Sequence, residues 1–140
     1  MMDVPLLFLS FQPKRILLLV EVGYSNTIVL RHFKPALENL LAGEVYLTES
    51  VREVAQWSWS NHGLSEELFR PFVGVDSETD RFPIGGTREL WDADGLARAD
   101  AERVVAEDHY REWIMQSGRV LLDAVVVALP TSTFTDPASS

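Results

Sequence analysis

The chain has 140 residues, 21 acidic side chains against 12 basic, a formal net charge of −9 and no cysteine. That length suits one domain able to bury roughly two-thirds of its unfolded surface, and the lack of cysteine excludes disulfides, zinc ribbons, iron–sulfur clusters and thiol nucleophiles. The acidity is local, with eleven acids and five arginines between Asp76 and Glu112, and a surface of that sign repels phosphate backbones and anionic headgroups, which argues against binding to nucleic acid or membrane.

Residues 1–24 hold two apolar runs, Val4 to Ser10 and Ile16 to Val22, separated by Gln12, Pro13, Lys14 and Arg15. A secretory signal places its basic residues before one apolar run. Here the first run precedes the charges and Glu21 interrupts the second, and neither approaches the length of a membrane span. These residues read as a short β-pair or as an apolar extension, and the protein as cytoplasmic.

Pro35 to Ala42 reads as a helix with proline at its first position, where the missing N–H costs nothing. The alternative is an earlier start near Ser25, with Pro35 as a kink. Leu37, Leu40 and Leu41 supply the apolar stripe, and Gly43 suits the left-handed cap. A second helix is expected from the capping box Ser50-Val-Arg-Glu53, in which each side chain satisfies the other's backbone donor, to Gly63. A short third helix follows over Leu64 to Phe69, capped by Ser65, with Leu64 stapled on Phe69 and Pro71 as its stop. Val73 to Gly86 is the least regular stretch, and a helical turn covers Thr87 to Trp91. The last long helix runs from Gly95 to Ser117. Its pairs Arg98–Glu102, Arg103–Glu107 and Glu107–Arg111 mark a solvated face, and Ala99, Ala106, Tyr110 and Trp113 a buried one. Val120 to Leu129 suits helix or strand, and residues 130–140 read as a disordered tail.

The expected architecture is mainly α: a compact helical bundle of four or five helices over residues 25–129, with or without the N-terminal β-pair. The alternative is α+β. Its core should draw on Leu37, Leu40, Leu41, Val51, Val54, Trp59, Leu68, Phe69, Trp91, Val105, Tyr110, Trp113 and Ile114.

Asp76, Glu78 and Asp80 alternate in the expected loop, so three carboxylates could converge on a hard divalent cation. An EF-hand fails, since Arg81 and Thr87 stand where it needs glycine and glutamate. The same acids equally serve as caps and turn formers. Gly85-Gly86-Thr87 lacks the lysine and spacing of a phosphate loop and reads as a helix entry. His32 lies near the first helix and His62 at a helix end. His109 shares a helix edge with Asp108 and Glu112, a group suited to a metal or a proton relay, or simply to a charged rim beside Tyr110 and Trp113. Trp57 points away from the expected buried face of Val51, Val54, Ala55 and Trp59, and is the candidate binding anchor. No Gly-x-Ser-x-Gly elbow or Ser-x-x-Lys pair occurs.

Residues 72–104, FVGVDSETDRFPIGGTRELWDADGLARADAERV, resemble a family of uncharacterised bacterial proteins. The shared features are a phenylalanine, a run ending in Asp-Ser-Glu-Thr-Asp, a proline-glycine turn, a tryptophan and an Asp-Ala-Glu helix. The likeness reaches more weakly back to Leu41-Ala-Gly-Glu-Val and omits residues 1–30. It implies no activity and points only to Asp76, Glu78, Asp80 and Trp91, for folding or for a partner. Two functions stay open. One is an interaction protein of the immunity or accessory kind, whose acidic face meets a basic protein partner. The other is a metal-dependent hydrolase using Asp76, Glu78 and Asp80 with His109 or Glu112. Oligomeric state is not readable from the sequence.

Overall fold

Ser25 opens the first helix, α1 (Asn26–Ala42), by accepting the Ile28 N–H on its hydroxyl, which satisfies one of the donors a helix start leaves free. The earlier of the two expected starts is the one found. Pro35 lies inside α1 on its exposed side, where the missing hydrogen bond leaves a carbonyl open to water. Gly43, with φ 71°, closes the helix by donating to the carbonyls of Asn39 and Leu40. The computed structural model describes residues 25–43 and 45–130. The β-pair and the tail beyond Pro130 expected from the sequence lie outside the described residues.

The second helix, α2 (Leu47–Trp57), does not start at the capping box. Its flanking residue is Tyr46, which makes no side-chain cap, and Ser50 is buried within the helix. The cap comes from elsewhere in the chain: Glu107 Oε2 accepts both the backbone N–H of Thr48 at 2.9 Å and its hydroxyl at 2.8 Å. The helix also ends at Trp57 rather than Gly63. The Ser58 and Ser60 hydroxyls donate to the carbonyls of Ala55 and Trp57, each at 2.6 Å, so local side chains take over from the helical ladder.

A 3-10 turn, Glu66–Phe69, is capped by Ser65 as expected and runs directly into α3 (Arg70–Glu78). Pro71 therefore begins a helix where it was expected to stop one. Proline is tolerated in a first turn because the N–H it lacks has no partner there. Phe72 and Val75 give α3 its buried face, and only the stretch after Thr79 is irregular. A second 3-10 turn, Gly85–Leu90, leads to α4 (Ala93–Ala128), 36 residues in length. At 1.5 Å per residue α4 spans about 54 Å, and it takes in Val120 to Ala128 as helix.

Phe33 is the hub of the core. Its ring centroid lies 5.5 Å from that of Phe69 and 5.6 Å from that of Trp57, while Val51, Val54, Phe72, Ile114, Leu121 and Val125 are all fully buried with it. Each such side chain contributes about 1.5–3 kcal/mol of burial. Gly118 of α4 faces Leu40 and Leu41 of α1, while Glu107 meets Thr48 just past the end of α1. The two helices thus run antiparallel, with the start of α1 beside the end of α4. The result is a mainly-α helical bundle. No strand occurs among the described residues, so the α+β alternative has no support there.

Of the expected core, Leu37, Leu40, Val51, Val54, Phe69 and Ile114 are buried, and Leu41, Leu68 and Tyr110 pack at its edge. Trp59, Trp91, Val105 and Trp113 are exposed. For α4 the reason is the choice of stripe. The buried residues are Arg103, Glu107, Ile114, Gly118, Leu121 and Val125, and Trp113 stands about 100° around the axis from Ile114.

Candidate functional site

Of the three carboxylates expected in a loop, only Asp80 lies outside a helix, in the turn that follows α3. Asp76 and Glu78 sit two residues apart on α3, so about 200° separates them. Asp76 Oδ1 accepts a hydrogen bond from Arg52 Nε at 2.9 Å, and Arg52 Nη2 donates to the Thr79 carbonyl at 3.1 Å. One guanidinium therefore ties α2 to the end of α3. Burial pushes the Asp76 carboxyl above its ordinary value; the hydrogen bond and charge of Arg52 oppose this, and the neighbouring Asp80 charge adds to it. Among the described residues no three His, Cys, Asp or Glu side chains are placed to hold a metal ion. The convergence required by a metal-dependent hydrolase is thus not present in that cluster.

Glu78 instead faces α4. With Arg81 it lines an open groove of about 640 Å³, whose other side carries Glu102, Val105, His109 and Tyr110, together with Ala101 and Ala106. Arg81 Nε lies 3.8 Å from Glu102 Oε1 across it. His109 is exposed and meets the Tyr110 ring edge-on at 4.7 Å. Asp108, also exposed, turns to Arg111 at 3.4 Å, and Glu112 accepts from the Gln116 amide at 3.5 Å. The expected edge of Asp108, His109 and Glu112 is therefore a set of separate surface contacts. Glu78 and His109, from distant parts of the chain, are the two candidates that share a site. Arg81, Glu102 and Val105 join them unforeseen. Val105 was placed in the core because it is apolar on a periodic helix, yet it is 69 % exposed.

Trp57 cannot serve as an anchor, since it is 2 % exposed and packs on Phe33. Extending the helix to Gly63 put Trp59 on the buried face. Because α2 stops at Trp57, Trp59 falls in the following turn and is the exposed member of the pair. His62 is also buried, against Phe69 at 4.3 Å. Its Nδ1 accepts the Leu64 N–H at 2.9 Å, which places the ring proton on Nε2, facing the Ser58 carbonyl. His32, exposed on α1, places Nδ1 3.0 Å from the Ile28 carbonyl of its own helix.

The pair Arg103–Glu107, expected on a solvated face, is buried, with N–O 3.0 Å and each side chain 7 % exposed. Arg103 lies 3.8 Å from the Tyr46 ring centroid, and Arg88 binds Asp100 through two hydrogen bonds of 2.8 Å. This network joins the start of α4 to the start of α2. The hydrogen bonds from Arg88 hold the Asp100 carboxyl below its ordinary value, with burial opposing, and Asp100 in turn raises Arg88.

These pairs change the surface balance. Of the eleven acids from Asp76 to Glu112, Asp76, Asp100 and Glu107 are wholly or partly buried on arginines, and the remaining eight are exposed. Of the five arginines only Arg81, Arg98 and Arg111 are exposed. The exposed residues between Asp76 and Glu112 thus carry an excess of five carboxylates over guanidiniums, and Glu78 and Glu102 among them line the groove with Arg81. No helix among the described residues is long and apolar enough to cross a membrane. No family model, curated protein or solved structure matches the chain.

Proposed function

We propose that the protein is a small acidic cytoplasmic interaction domain of the immunity or accessory kind, and that the groove between α3 and α4 receives a basic, partly apolar segment of a protein partner. The observation that carries this reading is an apolar wall of exposed Val105 and half-buried Tyr110, framed by Glu78 and Glu102, with further exposed acids in the same stretch of chain. Carboxylates at a rim steer a basic partner and set its register. Apolar contact at the centre, where water is driven off, supplies the affinity. The same surface repels phosphate backbones, so nucleic acid is not the partner. Residues 72–104, the stretch that resembles the uncharacterised bacterial family, contribute Glu78, Arg81, Ala101 and Glu102 to this groove.

The test is a titration of the isotope-labelled protein with a helical Lys/Leu amphipathic peptide, read by backbone amide shifts. Shifts centred on Glu78, Glu102, Val105 and His109 are expected, weakening with added salt and lost in Glu78→Lys/Glu102→Lys. Shifts scattered over all exposed acids, or unchanged by the charge reversal, would overturn the reading.

A further inference from the structure

The groove between α3 and α4 does not end at Glu102. A smaller pocket of about 230 Å³ continues it towards the start of α4 and shares Arg81 and Glu102 with it. Phe82, Trp91 and Ala99 give the pocket an apolar lining, and Arg98 adds a second guanidinium. Phe82 is 2 % exposed, whereas the Trp91 ring is 41 % exposed. A Cβ at Gly95 would stand 3.7 Å from Trp91 Cε3 and 2.6 Å from Asp92 Oδ1, so the indole and that carboxylate both lie against this turn of α4. We propose that the pocket takes one aromatic side chain of the partner segment. The proposal rests on the groove as the partner's site and adds the anchor that holds the segment there.

The charges around the pocket balance, with Arg81 and Arg98 offset by Glu102 and Asp92, which favours a neutral occupant. The pair Arg98–Glu102 suggested by the sequence is not formed. Glu102 lies 3.8 Å from Arg81 instead, and among the described residues Arg98 has no ion-pair partner. An unpaired guanidinium next to a half-exposed indole offers two flat surfaces to an incoming ring, one attracted through the ring quadrupole and the other by stacking. Arg81 already makes such a contact, with its guanidinium carbon 4.3 Å from the Phe82 ring centroid. The volume falls below the roughly 300 Å³ at which whole-ligand pockets begin, which suits a single large side chain. Ala99 in the pocket and Ala106 in the groove are seven residues apart on one face of α4, about 10 Å along its axis. On a helical segment laid along α4, the aromatic residue therefore stands about seven residues from the apolar residue that meets the groove wall.

The full-length, isotope-labelled protein is first titrated with N-acetyltryptophanamide, a neutral aromatic probe. Shifts should centre on the Trp91 indole N–H and on the amides of Phe82 and Ala99. Arg98→Gln, at an exposed position, should weaken binding about two- to fivefold, the size of a cation–π contact. Scattered shifts, no shifts, or equal affinity in Arg98→Gln would overturn the proposal. In the helical Lys/Leu peptide, a phenylalanine placed seven residues from the central leucine should tighten binding about tenfold, a gain lost in Trp91→Ala. A peptide that binds at Glu78 and Glu102 without that gain would remove the aromatic anchor and leave the groove standing. A probe that binds at Trp91 while the peptide fails to reach Glu78 would remove the groove as the partner's site and support the aromatic pocket.

Discussion

The two halves of α4 are held to the bundle by different physics. From Asp100 to Glu107 the contacts are ionic: Arg88, Asp100, Arg103 and Glu107 form a chain of ion pairs, hydrogen-bonded at Arg88–Asp100 and Arg103–Glu107, that ends on the first turn of α2. From Ile114 to Val125 they are apolar, with Gly118 admitting Leu40 and Leu41 to close range. Apolar packing needs only volume and tolerates small shifts. The ionic half needs every partner in place, because each group removed strands another away from water. That demand fixes where α2 begins. Thr48 occupies the second position of α2 because Glu107 is there to receive its N–H.

The largest effect expected of a single substitution falls on the ionic half. Glu107→Ala leaves buried Arg103 with only Asp100, 3.6 Å away and shared with Arg88, as counter-charge and uncaps Thr48, and should lower stability by about 3–5 kcal/mol in urea unfolding. Replacing both partners, Arg103→Met with Glu107→Leu, should cost clearly less than Glu107→Ala alone. A double variant as damaged as the single one would mean that the cap, not the ion pair, dominates. On the apolar half, Leu121→Ala should cost about 2–5 kcal/mol through the cavity it leaves. Gly118→Val should cost less, about 1–3 kcal/mol, because a Cβ there meets Leu40 and Leu41 at 3.1 Å and both can give a little. A neutral Gly118→Val would show that the two helices are free to move apart.

The same contrast governs what the sequence made legible. On α1 and α2 the apolar packing followed periodicity, with Leu37, Leu40, Val51 and Val54 where spacing put them. On α4 Ile114 is buried as expected, but the buried stripe does not pass through Trp113, and Leu121 and Val125 lie in a run that suited helix or strand. The ionic half defeated periodicity. Arg103 and Glu107, four apart, have the pattern of a solvated pair, and nothing local distinguishes them from Arg98 and Glu102. Their burial depends on Tyr46 and Thr48, about sixty residues away. The Ser50 capping box failed for the same reason, since a distant carboxylate set the helix start three residues earlier. At the candidate groove Glu78 and His109 were singled out for their chemistry, but their meeting required α3 to be helical. That in turn depended on Pro71 starting a helix, which a proline after a short helical turn does not signal. Trp59 is exposed, against expectation, because α2 stops short of Gly63. Trp57 lies inside α2 and is buried because that helix buries Ser50 and Gln56 as well as Val51, Val54 and Ala55, a wider face than the one expected.

The smallest effect separates the halves most directly, because only one of them titrates. Asp100 accepts two hydrogen bonds from Arg88 and so ionises below the ordinary 3.8. The unfolded chain then binds the proton more readily than the native one, and the stability from this pair is present above pH 3.8 and lost as the pH falls through the lower native value. Arg88→Ala should therefore lower the melting temperature at neutral pH by an amount that shrinks towards zero on acidification below 3.8. Asp76 works in the opposite sense. Its native carboxyl is raised above 3.8 by burial, so its ionisation weakens the fold as the pH climbs through that raised value, and Asp76→Asn should flatten this decline. Leu121→Ala touches no titrating group and should shift the whole melting profile by a constant amount. If the deficit of Arg88→Ala were as independent of pH as that of Leu121→Ala, the Arg88 side chain would be acting there by packing rather than by charge, and the division of α4 into an ionic and an apolar half would fail at Asp100.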